Sequence, residues 1–355
     1  MKKVIVTDYE ELLISYALPN HWKKNFEIIS PSKFNQLSDL SGIDIYSWAD
    51  HGYDVVSHRL NDPKQGFCKK LSEICNNKYT ARKVLKSLQN IPSRQTKSYV
   101  EWSEKPEEKL IAKPIGGSGS RDVHIVKHGH ILPIIDEDYV IEKYIDDSIP
   151  RVSIDGYICN GKIGILSIMD GVYTKENPTR FHSVNNPSIH SNNQYLLDKF
   201  YEVMEELISV TGCDNQIVDI EFFLDDKEVM VMEINPRIRG NEIPIFTDIT
   251  GYNPWEVLEN LKKGIEPIQK SKDINGITRF NYYWEVPNGI YHHEKNVFSI
   301  ITSKHSHTYA FSDNKSLEEL DIIIDKYVKE LKQIKEDIDL DYLASVKESF
   351  WHCDD

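Results

Sequence analysis

The sequence lacks any long apolar run: no stretch approaches the roughly 20 apolar residues that a membrane-spanning helix needs, so a membrane-embedded protein is not expected. Its five cysteines (Cys68, Cys75, Cys159, Cys213 and Cys353) are odd in number and include no C-x-x-C pair. They read as reduced thiols in a reducing compartment rather than as a disulfide framework. The first strand candidate runs into Thr7-Asp8-Tyr9-Glu10 and not into G-x-G-x-x-G, so a dinucleotide fingerprint is missing. There is no G-x-S-x-G, no Cys-His signature and no H-E-x-x-H. Internal repeats and low-complexity segments are also lacking. Positive charge is in deficit, with 42 Lys and Arg against 56 Asp and Glu and a formal net charge of -14. That balance disfavours a general nucleic-acid or membrane surface, because both partners are polyanionic. It still permits a local basic cleft for a small anionic ligand.

What is present is a chain of 355 residues, long enough for two or three packed subdomains. Met1-Lys2-Lys3-Val4-Ile5-Val6 is a charged lead into a strand, and Asp8, Glu10 and Glu11 interrupt the apolar run. A signal peptide is therefore not expected and a cytoplasmic protein is. Strands at 4–6, 26–29 and 43–46 alternate with helices at 10–18 and 32–40, as in a small parallel α/β layer. Residues 64–90 are charged and helical, and 101–109 form an exposed connection. Strands follow at 110–113, 123–127, 139–143, 152–159 and 162–169, then a polar stretch over 170–193 that is expected to be a long loop. Leu196, Phe200, Val203, Leu207 and Val210 recur at helical spacing within 195–210. Strands at 217–224 and 229–234, a helix at 253–263, strands near 277, 297 and 308, and a charged helix from Leu317 to about Lys335 complete the chain.

The stretch 217–240 carries the most chemistry: Ile-Val-Asp-Ile-Glu-Phe-Phe-Leu-Asp-Asp-Lys-Glu-Val-Met-Val-Met-Glu-Ile-Asn-Pro-Arg-Ile-Arg-Gly. A hairpin turning near Lys227 sets Glu221 opposite Glu233 and Asp219 opposite Asn235, with alternate side chains on one face. Two carboxylates facing each other repel unless a cation lies between them. Mg²⁺ suits the place, since it takes carboxylate and phosphate oxygens, and the Asn235 amide oxygen can join it. Arg237 cannot ligate a metal but can stabilise a transferring phosphoryl group. A solvated acidic hairpin face is the plainer reading of these residues alone. Upstream, a strand ending on Lys113 leads into Gly116-Gly117-Ser118-Gly119-Ser120. Small residues let backbone N–H groups wrap phosphate oxygens, and Lys113 adds a point charge. No Lys-Ser/Thr follows the glycines, so this is not a Walker loop, and a flexible hairpin turn explains it equally well. Tyr139-Val-Ile-Glu-Lys-Tyr-Ile145 reads, taken alone, as a buried strand. His124, His128 and His130 lack the partners of a zinc site and read as surface histidines. Arg180, Arg239 and Arg279 are candidates for a substrate carboxylate, with Arg180 favoured by its place in the 170–193 stretch.

Taken in order, Lys-Pro with a Gly/Ser loop, then Glu-Lys-Tyr-Ile, then acidic strands ending Glu-Ile-Asn-Pro-Arg resemble the ATP-grasp superfamily over about residues 76–265. Glu142-Lys143-Tyr144-Ile145 followed by Arg151-Val152 also resembles the biotin carboxylase version. Thr250-Gly251-Tyr252 resembles the Thr-Gly-x-Asp-like segment after the metal strand, with Asn253 near the acidic place. The resemblance implies an α/β and α+β protein: a Rossmann-like pre-ATP-grasp layer at 1–90, an ATP-grasp domain at 91–265 with a lid at about 110–160, and a β-rich C-terminal piece at 266–355. It implies Lys113 on the α or β phosphate and the backbone of Gly117, Ser118, Gly119 and Ser120 as a phosphate lid. Glu142, Lys143, Tyr144 and Ile145 would be the adenine-reading hinge. Lys78 would be a further phosphate lysine, and Asp155 would reach the ribose. Glu221, Glu233 and Asn235 would hold one or two Mg²⁺ ions, with Mn²⁺ as a substitute, and Arg237 would face the transferred phosphoryl group with Arg180 over the cleft. The implied reaction is ATP-dependent and ADP-forming. A carboxylate attacks the γ-phosphate, and an amine, or a thiol, displaces phosphate from the acylphosphate. The implied partners are small-molecule carboxylate and amine substrates, an amino acid or small peptide among them; the oligomeric state, a homodimer included, stays open. A biotin-carboxylase-like carboxylating enzyme and a catalytically silent ATP-binding regulator are the alternatives.

Overall fold

The computed structural model describes residues 1–9, 11–91, 93–96, 109–116, 122–126, 139–146, 148–173, 181–225, 228–238, 245–270, 274–281, 289–301 and 306–337. The first layer comprises β1 (Lys2–Val6), α1 (Glu11–Ser15), β2 (Phe26–Ile29), α2 (Pro31–Gln36), β3 (Ile43–Ser47) and α3 (Ala49–Leu60). Its three strands are parallel in the order β2-β1-β3. The apolar Val4 and Val6 are buried with Phe34, Tyr53, Val56 and Phe67. Ser30 caps α2 by accepting from the Lys33 N–H at 3.2 Å, with Pro31 at the first helical position, where its missing N–H costs nothing. Helix α3 was not expected from the sequence, because its apolar residues are few and Gly52 interrupts them. That glycine is what lets the helix pack: a Cβ there would stand 2.3 Å from the Val6 carbonyl oxygen.

Helices α4 (Lys69–Cys75) and α5 (Lys78–Val84) lead to a small antiparallel sheet. It contains β4 (Ser93–Thr96), β5 (Leu110–Pro114), β6 (His124–Val126) and β7 (Tyr139–Lys143), in the order β4-β7-β5-β6. The rest of the chain builds on one nine-stranded sheet. In chain order it supplies β8 (Arg151–Cys159), β9 (Lys162–Tyr173), β10 (Phe181–Asn186), α6 (Gln194–Thr211), β11 (Gln216–Leu224) and β12 (Val229–Asn235). Then come α7 (Pro254–Lys262), β13 (Asn275–Asn281), β14 (Gly289–Glu294), β15 (Val297–Ile301), β16 (Ser306–Ser312) and α8 (Leu317–Asp337). The strand order is β12-β11-β8-β9-β10-β13-β16-β15-β14.

One face of this sheet is apolar and carries α6. Leu196, Phe200, Val203, Met204 and Leu207 pack on Val152, Ile154, Val218, Ile220, Phe222 and Ile234. Each such side chain, fully buried, is worth roughly 1.5–3 kcal/mol. Asn193 caps the helix through the Leu196 N–H at 3.1 Å, and Gly212 ends it at a φ of 69°. The middle of the opposite face of β8 and β11 carries polar side chains, flanked by the buried apolar Ile217 and Phe223.

Two sequence expectations are corrected. The polar stretch 170–193 is not one loop, because it contains the end of β9 and all of β10, which pair Gly171 with Val184 and Asp170 with Asn185. Its backbone ladder needs no apolar alternation, and Asp170 anchors its exit by accepting from Ser188 Oγ at 2.5 Å and the Ile189 N–H at 2.9 Å. The expected lid range of 110–160 also takes in too much. Strand β8 pairs with β9 and β11 in the large sheet, whereas β4, upstream of that range, belongs to the small one. Helices α1 and α2 end earlier than their periodicity predicts, and β14 was not foreseen. Among the described residues, no helix is long and apolar enough to cross a membrane.

Candidate active site

The site grows from the register of β11 and β12. Glu221 stands opposite Glu233, and Asp219 opposite Asn235, as the hairpin reading requires. Next to Glu221 the register shifts, since Phe222 pairs with Val231 and leaves Met232 as an extra residue. A bulge of this kind re-aims the neighbouring side chain. Strand β8 runs on the other side of β11 and sets Ser153 beside Glu221 and Asp155 beside Asp219. Strand alternation therefore gathers Ser153, Asp155, Asp219, Glu221, Glu233 and Asn235 on one face.

Cations answer these carboxylates. Lys78 Nζ lies 3.0 Å from Glu233 Oε1. Its place is fixed locally: Asn77 caps α5 by accepting from the Thr80 N–H at 2.8 Å, and the Lys78 N–H donates to the Ile115 carbonyl at 3.0 Å. Burial would depress the Lys78 ammonium, but Glu233, with Asp50 behind it, holds it above the ordinary lysine range. In the small sheet Lys113 Nζ donates to Glu142 Oε2 at 2.9 Å, and Arg82 Nε donates to Glu142 Oε1 at 2.8 Å. Burial would raise the Glu142 carboxyl, but Lys113 and Arg82 overcome it and hold it at about 2.

A third group surrounds Asp219, which is fully buried. Ser153 Oγ donates to its Oδ1 at 2.6 Å, and Asn235 Nδ2 donates to its Oδ2 at 3.0 Å. The same oxygen is 3.5 Å from a terminal nitrogen of Arg237. Arg237 is gripped by Asp50 of α3, with Nε to Oδ1 at 2.6 Å and a terminal nitrogen to Oδ2 at 3.1 Å. Burial would lower the guanidinium, but Asp50 and Asp219 raise it, so it stays charged. Arg237 thus couples the first layer to the end of β12.

Of the residues proposed from sequence, Lys78, Lys113, Glu142, Glu221, Glu233, Asn235 and Arg237 sit on elements that converge here. Lys143 is exposed and Tyr144 and Ile145 are half-buried, with the Tyr144 N–H donating to the Lys109 carbonyl at 3.0 Å. Ile145 packs on a patch of Ile91, Phe223 and Met230. Asp155 is fully buried and accepts from Ser167 Oγ at 3.0 Å. A carboxylate so covered has no surface to offer a ribose. Gly117, Ser118, Gly119, Ser120 and Arg180 lie outside the described residues, as do His128, His130 and Arg239. Sequence reasoning missed Asp50, which sits on the unforeseen α3. It also missed Arg82, although Lys78 and Arg82 are four apart and so share one face of a helix.

The donor set can be tested against a metal. Among the described residues no group of three or more His, Cys, Asp or Glu side chains is arranged to hold one unaided. Two opposed carboxylates and an amide oxygen fit Mg²⁺, which completes its shell with phosphate oxygens and water. The contact of Lys78 with Glu233 marks the same place as one that demands positive charge.

Residues 75–241 match the family model described as ATP-grasp domain. No curated protein matches the sequence. Among solved structures, N5-carboxyaminoimidazole ribonucleotide synthetase from Thermotoga maritima superposes with a TM-score of 0.66 at 14% identity, covering 94% of this chain and 98% of its own. Carboxyaminoimidazole ribonucleotide synthase from Aspergillus clavatus, complexed with ATP, gives 0.66 at 13% identity over 95% and 99%. L-amino acid ligase from Bacillus licheniformis gives 0.59 at 16% identity over 94% and 97%. At such identities the likeness establishes the fold.

Proposed function

Proceeding from the ATP-grasp domain that this chain carries over residues 75–241, we propose that the protein is an ADP-forming ligase that activates a small carboxylate as an acylphosphate and couples it to an amine. The observation that carries the reading is the opposed pair of Glu221 and Glu233 with Lys78 on it, beside Lys113 held on Glu142. Carboxylates on one strand pair and lysines on flanking elements are what a metal-bound triphosphate needs on its two sides. The half-buried Ile145, packed on the buried Phe223 and Met230, stands at the end of the hinge at Glu142–Ile145, where this reading puts the adenine ring. The organisation that goes with it is a first layer at 1–90, the nucleotide domain at 91–265 and a C-terminal piece at 266–355.

Glu221, Glu233 and the Asn235 amide oxygen would hold Mg²⁺, with Mn²⁺ able to replace it. When bound, Mg²⁺ neutralises the phosphate oxygens and orients them for in-line transfer. The chain's own residues do the rest. Lys113 leaves Glu142 to take an α or β phosphate oxygen, while Arg82 keeps that carboxylate compensated. Lys78 stands on the metal side and balances the charge that builds up on the transferring group. Asp219 is a buried base plate: through Asn235 and Arg237 it fixes one metal ligand and one cation with the same carboxylate. Arg237 faces the phosphoryl group from the grip of Asp50. Catalysis is then positioning and charge neutralisation, with no side-chain nucleophile required. The co-substrates are small molecules, and the reading is of a cytoplasmic enzyme. The test is product analysis with Mg²⁺-ATP and pooled amino acids and carboxylic acids. ADP and phosphate are expected, and AMP with pyrophosphate would overturn the acylphosphate route.

A further inference from the structure

Arg82 belongs to neither sheet, yet it is bonded to both. It lies on α5, one turn after Lys78, and is 6% exposed. Its Nε donates to Glu142 Oε1 on β7 at 2.8 Å, in the four-stranded sheet. Its two terminal nitrogens donate to the carbonyls of Val231 at 2.7 Å and Met232 at 2.8 Å, on β12 of the nine-stranded sheet. Met232 is the bulged residue, without a partner on β11 and directly before Glu233. Strand β12 is an edge strand of its sheet and its register shifts at Met232; buried carbonyls there need donors, and Arg82 supplies two of them. A planar guanidinium serves three acceptors in fixed directions, whereas an ammonium on a flexible stem does not.

We propose that Arg82 is a positioning residue that couples nucleotide binding to metal binding, by fixing the hinge strand that carries Glu142 against the metal strand that carries Glu233. This rests on the Mg²⁺-ATP reading of the site. Two effects follow from the geometry. The bonds to Val231 and Met232 hold the bulge, and the bulge aims Glu233 at Glu221. The bond to Glu142 occupies one carboxylate oxygen and leaves Lys113 only the other, at 2.9 Å. Without Arg82 both oxygens are open to Lys113, which is then held back from phosphate. Arg82 contacts neither nucleotide nor metal in this account; it acts through Glu142 and Glu233.

The measurement is calorimetric titration of the full-length protein with ATP, once in excess Mg²⁺ and once in EDTA. The Kd in EDTA divided by the Kd in excess Mg²⁺ reports the coupling. Arg82→Met is expected to reduce that ratio at least fivefold relative to wild type. Arg82→Lys, which keeps a cation beside Glu142 but cannot serve both carbonyls, is expected to fall between them. Because it preserves the buried charge balance, it carries the comparison if Arg82→Met fails to fold by circular dichroism. A variant whose affinities drop equally with and without Mg²⁺ leaves the ratio unchanged and overturns the proposal, since a merely structural role behaves that way. An unchanged ratio with unchanged affinities overturns it too. If wild type itself does not bind Mg²⁺-ATP, the functional reading fails and not the role of Arg82 within it.

Discussion

Replacing Glu142 by Gln removes one negative charge from a buried cluster with two cations. Glu142 is 2% exposed and accepts from Arg82 at 2.8 Å and Lys113 at 2.9 Å. Gln keeps the volume but brings an NH₂ group where only acceptors fit, and leaves the Arg82 guanidinium buried without a counter-charge. Holding the carboxyl at about 2 instead of the ordinary 4.5 corresponds to roughly 3 kcal/mol. Breaking a buried ion pair from one side costs about 3–5 kcal/mol, so both routes lead to a loss of about 3 kcal/mol at pH 7. The sign with pH follows from a depressed folded pKa. The contribution is complete above the unfolded value of 4.5 and is lost as pH falls through the folded value of about 2. Urea denaturation of wild type and Glu142→Gln, followed by tryptophan fluorescence, should show a constant gap from pH 8 to about pH 5 that narrows below it. A gap under about 1 kcal/mol at pH 7, or one unchanged down to pH 3, would refute the charge assignment.

The other substitutions probe the site directly. Glu233→Gln should reduce Mg²⁺-ATP turnover about 100-fold and shift its Mg²⁺ dependence to higher concentration; unchanged turnover would remove Glu233 from the metal set. Lys113→Ala should raise the KM for ATP by about 10- to 100-fold, the worth of a charge-assisted hydrogen bond to phosphate, as read by steady-state kinetics. Asp50→Asn should lower kcat about tenfold through misplacement of Arg237, with the KM for ATP within about twofold. An equal rise in that KM would show that Asp50 supports the nucleotide instead.

Much of this site was legible because it is written in strand alternation. Asp219, Glu221, Glu233 and Asn235 follow from the two-residue period of a hairpin, and the observed register pairs them as expected. The apolar partners on the other face, Ile220, Phe222 and Ile234, made that face unambiguous by packing on α6. What escaped is long-range or locally irregular. Asp50 reaches Arg237 across 187 positions of sequence, from a helix whose seat depends on Gly52 lying close to strand β1. The bulge at Met232 has no signature in residue type, and so neither has the role of Arg82 beneath it. Strand β10 was hidden because backbone pairing with β9 and β13 holds it without an apolar alternation to read. The ribose role of Asp155 came from the family resemblance alone, which carries no measure of burial, and the side chain is fully buried.

The acylphosphate itself is the most direct target. With pooled amino acids and carboxylic acids labelled with ¹⁸O in their carboxylates, incubation with Mg²⁺-ATP and analysis of the inorganic phosphate by mass spectrometry follows the bridging oxygen. The account predicts one ¹⁸O atom in the phosphate for each ADP formed, with no labelled phosphate when the pool is omitted and about 100-fold less of both ADP and label when Glu233→Gln replaces wild type. Phosphate that carries no label while ADP accumulates, or label recovered in AMP, would contradict carboxylate activation at this site.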